Sequence, residues 1–266
     1  MAGPAEILVI VSLLLGGMGI PLGMPPQPND PFMEGVAPEQ CLVYSAWNGL
    51  AVPSADSKNE AERMLAEPEM QEFAEKVERA IRVVLAEKAV GNKQLQLVSQ
   101  TIPDLVKLLL TQPTTIYIRS VGVGPEGPIV SGALVVKGDE RLSATASRLR
   151  KIFALAADVE IDELEVRGTK FQRFALAAPI PPIFVGTHQG YLILATGDGA
   201  VHKLMARIGK DAPEWLVAAR ESLPIERRST ITYLDISRIQ ALGKLFGGPQ
   251  ISQMIQATAL DDLTSI

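Results

Sequence analysis

Gly122-Val-Gly-Pro-Glu-Gly127 carries the G-x-G-x-x-G spacing of dinucleotide-binding loops. That chemistry needs the loop to leave a strand and open a helix, whose N-terminus then holds the pyrophosphate. Here Pro128-Ile-Val-Ser-Gly-Ala-Leu-Val-Val136 follows, an apolar β-type run, so the glycines read as a hairpin turn. Gly197-Asp-Gly199 precedes a helical pattern and could receive an anion at the helix start. Asp198 would repel that anion, and capping by its carboxylate is the simpler reading. Gly-Lys-Ser and Gly-Lys-Thr are both missing, which excludes the common phosphate loop.

Asp158-Val-Glu-Ile-Asp-Glu-Leu-Glu165 is the densest acidic cluster. On a strand, Glu160 and Asp162 share a face, an arrangement suited to paired-carboxylate catalysis or a calcium site. The apolar phase shifts from Val159 and Ile161 to Leu164 and Val166, which predicts a turn or bulge near Asp162-Glu163. A solvated edge strand explains these charges without any site. Of the two histidines, His188 falls in a predicted turn and His202 on a predicted helix. Neither has a His or Cys partner at metal-ligand spacing, and no nucleophile elbow accompanies them. Cys41 is the single cysteine, so it forms no internal disulfide. Its apolar setting, Cys41-Leu-Val-Tyr44, suits a buried hydrophobe better than a reactive thiol. The sequence therefore assigns no catalytic residue, no cofactor-binding residue, no metal ligand and no cofactor.

The elements around these residues alternate. Cys41–Trp47 reads as a strand ended by Asn48-Gly49. From Pro68 onward, Met70, Phe73, Ala74, Val77, Ile81, Val84 and Leu85 repeat at helical spacing. Glu72/Lys76, Glu75/Arg79 and Glu78/Arg82 form i,i+4 pairs on what reads as the solvated face. A second helix is predicted to start with Thr101 as its cap, Pro103 in its first turn and 105–110 as its apolar body. Two hairpin-then-helix units follow, 114–137 with a helix over 142–153, and 183–196 with a helix over 201–208. Aligning Gly132–Asp139 with Gly190–Asp198 takes one inserted residue, and each unit's Asp is expected to cap its helix. A further hairpin turns at Gly168-Thr169. Asp211 is read as the cap of a helix through Leu223, followed by a strand at 230–236 and a short helix at 239–246. Strands in hairpins with helices between them favour an α+β fold over a parallel sheet.

The first thirty residues differ from the rest. Ile7-Leu-Val-Ile-Val-Ser-Leu-Leu-Leu15 is almost wholly apolar, no charge occurs between Glu6 and Asp30, and the first Lys or Arg is Lys58. Residues 1–23 read as a signal peptide or an N-terminal membrane anchor, with a disordered apolar tail on a cytosolic protein as the plainer alternative. Residues 24–37, rich in proline, read as an extended linker, and 38–266 as the α+β domain. With net charge −5 and interspersed charges, the chain is a poor ligand for nucleic acid or an anionic membrane surface. Membrane contact is expected only through an uncleaved N-terminal segment. A protein or a small apolar ligand fits as partner, and the oligomeric state is left open.

Val36-Ala-Pro-Glu-Gln-Cys-Leu-Val-Tyr44, directly after an export-like segment, resembles the opening of a large family of uncharacterised exported bacterial proteins. Their mature domain starts with a proline-containing turn that leads into a strand ending in an aromatic residue. The resemblance implies an envelope location and no established catalytic residues. It also implies a second half that repeats the first. Thr230–Tyr233 echoes Cys41–Tyr44 here, so a chain shortened at its C-terminal end is expected. The function expected is non-catalytic binding or structural work in the envelope. A carboxylate-based hydrolase and an apolar-ligand carrier are the alternatives.

Overall fold

In the computed structural model, residues 25–124, 127–155, 159–176, 180–222 and 228–246 are described. The signal or anchor expected over 1–23 lies outside them. Eight strands are present among these residues: β1 Val43–Trp47, β2 Thr114–Gly124, β3 Gly127–Lys137, β4 Glu160–Val166, β5 Thr169–Ala175, β6 Ile183–His188, β7 Tyr191–Thr196 and β8 Thr230–Leu234. They form one sheet in the order β4-β5-β6-β7-β3-β2-β1-β8, and every neighbouring pair is antiparallel. The helices are α1 Pro31–Gly35, α2 Glu60–Leu65, α3 Pro68–Lys88, α4 Lys93–Thr111, α5 Leu142–Ala154, α6 Ala200–Arg207, α7 Glu214–Glu221 and α8 Ile236–Phe246. The fold is α+β.

Strand register sorts the side chains onto two faces. Tyr44 lies opposite Tyr117, Tyr117 opposite Ala133, Ala133 opposite Ala195 and Ala195 opposite Phe184. This first face packs against α1, α6 and α7 through Val36, Val201, Leu204, Met205 and Leu216, all nearly inaccessible. The second face carries Val136, Leu192, Val185 and Phe174, covered by Leu108 of α4 and by Ala146 and Leu149 of α5. The sheet is thus sandwiched between helices, each burying one apolar stripe.

The two hairpin-then-helix units send their helices to opposite faces. β3 ends at Lys137, on the first face, and β7 at Thr196, on the second, because successive strand residues point to opposite faces. Two hairpins close with two-residue turns whose residues both have positive φ, Arg167-Gly168 at 52° and 73° and Gln189-Gly190 at 47° and 83°. These match the right-handed twist of the flanking strands.

Of the linker expected over 24–37, the described residues 25–37 are instead part of the domain. Gln27 N donates to Gly49 O at 3.2 Å and Ala51 N to Pro25 O at 2.9 Å. Gly49, at φ +77°, lies so close to Thr111 that a Cβ would sit 2.5 Å from its carbonyl oxygen. Asp30 caps α1, with Pro31 in the first turn where its missing N–H costs nothing. Val36 and Ala37 then enter the core.

Other boundaries also differ from expectation. Helix α4 begins eight residues before Thr101, which is buried inside it and donates its hydroxyl to Leu97 O at 2.7 Å. Asn92 is the residue at its start, accepting from Leu95 N at 3.1 Å. The packing of Leu105, Leu108 and Leu109 outweighs the hydrogen bond that Pro103 removes. Asp198 does not cap α6, whose cap residue is Gly199 at φ 67° without a side-chain bond. Nor does Asp211 cap α7, which starts from Pro213. Asp139 is not the cap of α5 either, whose cap residue is Arg141 without a side-chain bond; Asp139 lies two residues earlier and accepts from Arg141 N at 2.8 Å.

Candidate functional site

At one end of the first face, Lys137, Tyr191 and His188 stand side by side on β3, β7 and β6, and Thr169 of β5 completes the row. Register alone assembles them, because each occupies the outermost pair of its ladder. Asp30 descends on this row from the α1 cap. Both of its carboxylate oxygens accept from the Tyr191 hydroxyl at 3.0 Å, Phe32 N donates to Oδ1 at 3.0 Å, and Lys137 Nζ lies 3.0 Å from Oδ2. Phe32 stacks on the Tyr191 ring at 3.8 Å and 6°. Thr169 Oγ1 and His188 Nδ1 are 2.7 Å apart. Burial, then the Asp30 charge and its hydrogen bond, push the Tyr191 hydroxyl well above the ordinary tyrosine value. Burial pulls His188 down, favouring neutral imidazole.

Such a row could in principle move protons, yet its groups are spent on one another. Asp30 is paired with Lys137, Tyr191 is held protonated, and Phe32 covers the phenol ring. The arrangement holds α1 against the sheet. Lys137, Tyr191 and Asp30 carry no local catalytic signature, and Asp30-Pro31, which starts α1, reads in the sequence as part of an extended linker.

The residues singled out in the sequence do not gather. Gly122 and Gly127 belong to the β2–β3 hairpin, where Gly124 pairs with Gly127. His202 is exposed on α6 and does not belong to the row that holds His188. Cys41 is buried, and burial, with the Asp235 charge adding to it, pushes its thiol up to about 12; no thiolate nucleophile is available there. Glu160, Asp162 and Glu163 lie on β4, the exposed edge strand, and Asp158 falls outside the described residues. The bulge expected at Asp162-Glu163 is not there: β4 pairs with β5 without a register shift from Glu160 to Val166. Ile161 points to the second face and stays exposed because the sheet ends there, which is why the apolar phase looked broken. Asp162 meets Arg173 at 2.8 Å and Glu163 meets Lys170 at 3.9 Å across the strand pair. Among the described residues, no group of three or more His, Cys, Asp or Glu side chains could hold a metal ion.

The largest departure from expectation is α3. Of its charged side, expected to face water, Glu72, Glu75, Lys76 and Arg79 do so, whereas Glu78 and Arg82 dock. Arg82 bonds Glu78 at 2.8 Å and Asp104 of α4 at 2.8 Å, Lys107 of α4 bonds Glu78 at 2.8 Å, and Arg148 of α5 also bonds Asp104. Hydrogen bonds from Lys107 and Arg82 hold Glu78 below the usual carboxylate range. Burial raises Asp104, but its bonds to Arg82 and Arg148 outweigh that and lower it. With the polar seam turned inward, Phe73, Val77, Ile81 and Val84 are left exposed on a continuous stripe, at 59%, 41%, 51% and 50% of their full accessibility. No residue of this 21-residue helix is buried. Leu95, Ile102 and Leu110 of α4 are exposed as well. Phe73, Val77, Ile81 and Val84 thus form a row of exposed large apolar side chains on one helix.

Compared with known proteins, the chain matches no protein-family model, no curated protein and no solved structure. The resemblance to exported bacterial proteins therefore rests on the residue pattern of 36–44 and the segment before it.

Proposed function

We propose that this chain is an exported or membrane-tethered protein of the bacterial envelope with a non-catalytic role, exerted through contacts made by the apolar face of α3. The observation that carries the contact role is that face, where Phe73, Val77, Ile81 and Val84 line a long helix and meet solvent. Export is supported by the uncharged apolar run from Ile7 to Leu15. No helix among the described residues is long and apolar enough to cross a membrane, so the proposed tether is the N-terminal segment. Carboxylate hydrolysis gains no support from Glu160, Asp162 and Glu163, which are exposed on a sheet edge. Fractionation of cells expressing the full-length chain should find it with the envelope or outside the cytoplasm; recovery wholly in the cytosol overturns the location.

An apolar-ligand carrier is the second reading. Val43, Ile116 and Ile118 on the second face are only half-buried and belong to neither core cluster. Thermal-shift screening against lipids that gives no stabilisation removes this reading.

A further inference from the structure

Resting on the reading of α3 as a contact surface, we infer that its partner is a second copy of this chain, the two α3 helices packing antiparallel about a twofold axis. The first argument is shape. Met70, Phe73, Ala74, Val77, Ala80, Ile81 and Val84 fall on one side of the helix at 3- and 4-residue spacing, and Ala74 and Ala80 allow close approach. An antiparallel pair with its midpoint between Glu78 and Arg79 sets Phe73 of each copy against Val84 of the other, and Val77 against Ala80. The same residues then serve both copies, as a twofold interface requires.

The second argument is charge. Residues 67–77 carry four glutamates against one lysine, whereas 78–88 carry three cations against two glutamates. Antiparallel packing lays the acidic half of one helix along the basic half of the other, with Glu69 near Lys88 of its mate at both ends. It also opposes the two helix dipoles. Parallel packing would set Glu69 and Glu72 beside their own copies. The acidic rim equally disfavours an anionic membrane as the occupant. Because α4 packs beside α3 through Asp104 and Lys107, two α3–α4 hairpins joined in this way approach the arrangement of a four-helix bundle.

The test uses the full chain. Sedimentation velocity across a wide concentration range should show monomers passing to dimers, with a dissociation constant on the order of micromolar for so small an apolar interface. Val77→Glu with Ile81→Glu should leave a monomer whose circular dichroism and melting match those of dilute wild type, since both side chains are exposed in the single chain. Glu69→Lys and Lys88→Glu should each weaken the dimer about tenfold, and together restore it, which only the antiparallel alignment allows. A chain monomeric at every concentration, a dimer indifferent to the Val77/Ile81 pair, or charge reversals that do not compensate would each overturn the inference. Hydrogen exchange on α3 separates its failure from that of the underlying reading. Slow exchange in a monomer means that residues 1–24 or 247–266 cover the face, and both readings fall. Fast exchange in a monomer leaves a free surface and removes only the second copy.

Discussion

Asp30 joins three tasks that no neighbour can take over: it caps α1, accepts the Tyr191 hydroxyl and neutralises Lys137. Replacing it with alanine removes the cap and leaves a half-buried phenol unpaired, so Asp30→Ala should cost about 1–2 kcal/mol in denaturant unfolding. Lys137→Ala should cost well under half of that, because the lysine is nearly half exposed and its charge returns to water; equal costs would refute the arrangement. The tyrosines give a second prediction. Burial is the leading cause that raises Tyr44, Tyr117, Tyr191 and Tyr233, and the chain has four tyrosines. A folded-state value above the unfolded one stabilises the fold fully below the unfolded value, near pH 10, and the gain is lost as pH rises through the folded value. Spectrophotometric titration should therefore show Tyr44, Tyr117 and Tyr191 silent near pH 10 until the fold itself gives way. Two or more tyrosines titrating reversibly there, in folded protein, would contradict the packing. At Gly186 the constraint is steric: a Cβ would sit 2.4 Å from Cδ1 of the buried Phe171 ring. Gly186→Ala should lower stability by about 1–3 kcal/mol, read from the unfolding midpoint.

Among the elements, α3 is attached by charge rather than by apolar burial, and its response to pH follows. Glu78 and Asp104 have folded-state values below their unfolded ones, so their contribution is complete above the ordinary carboxylate range and is lost as pH falls through the folded values. Acidification below about pH 4 should release α3 before the sheet melts, seen as loss of helical signal ahead of the tryptophan transition. Asp104→Asn should bring that loss to neutral pH and cost about 1–2 kcal/mol, since it frees both Arg82 and Arg148. A single coincident transition in wild type and variant would rule out separate attachment. Helix α3 also shows where the sequence stopped being legible. Its existence and length follow from the 3.6-residue period, but that period does not say which side docks, and the inward polar seam depends on partners 22 and 29 residues away. The hairpins were legible because Gly168 and Gly190 mark tight turns between alternating strands. Thr101 misled because a threonine before proline looks like a cap, while its hydroxyl can also bond back within a helix. The Asp30 row was not legible at all, since it depends on the register of four strands.

For the molecule as a whole, stability is concentrated where the sheet is covered on both sides. β3 and β7 are central strands, with α6 on one face and α5 on the other, and Val135, Val136, Leu192 and Ile193 on them are inaccessible. Their backbone bonds break only when both cores open. Helix α3 has no buried residue and bonds through side chains that water can reach, so its amides exchange through local opening. In dilute solution, native-state hydrogen exchange should therefore rank β3 and β7 slowest, near the global unfolding free energy, and α3 fastest among the long helices. If α3 is the surface on which two copies meet, its protection should rise with protein concentration while that of β7 stays fixed, because only the former is linked to association. Protection of α3 that equals β7 at high dilution would mean that the helix is buried by something within the single chain, and the contact face assigned to it would have to be withdrawn.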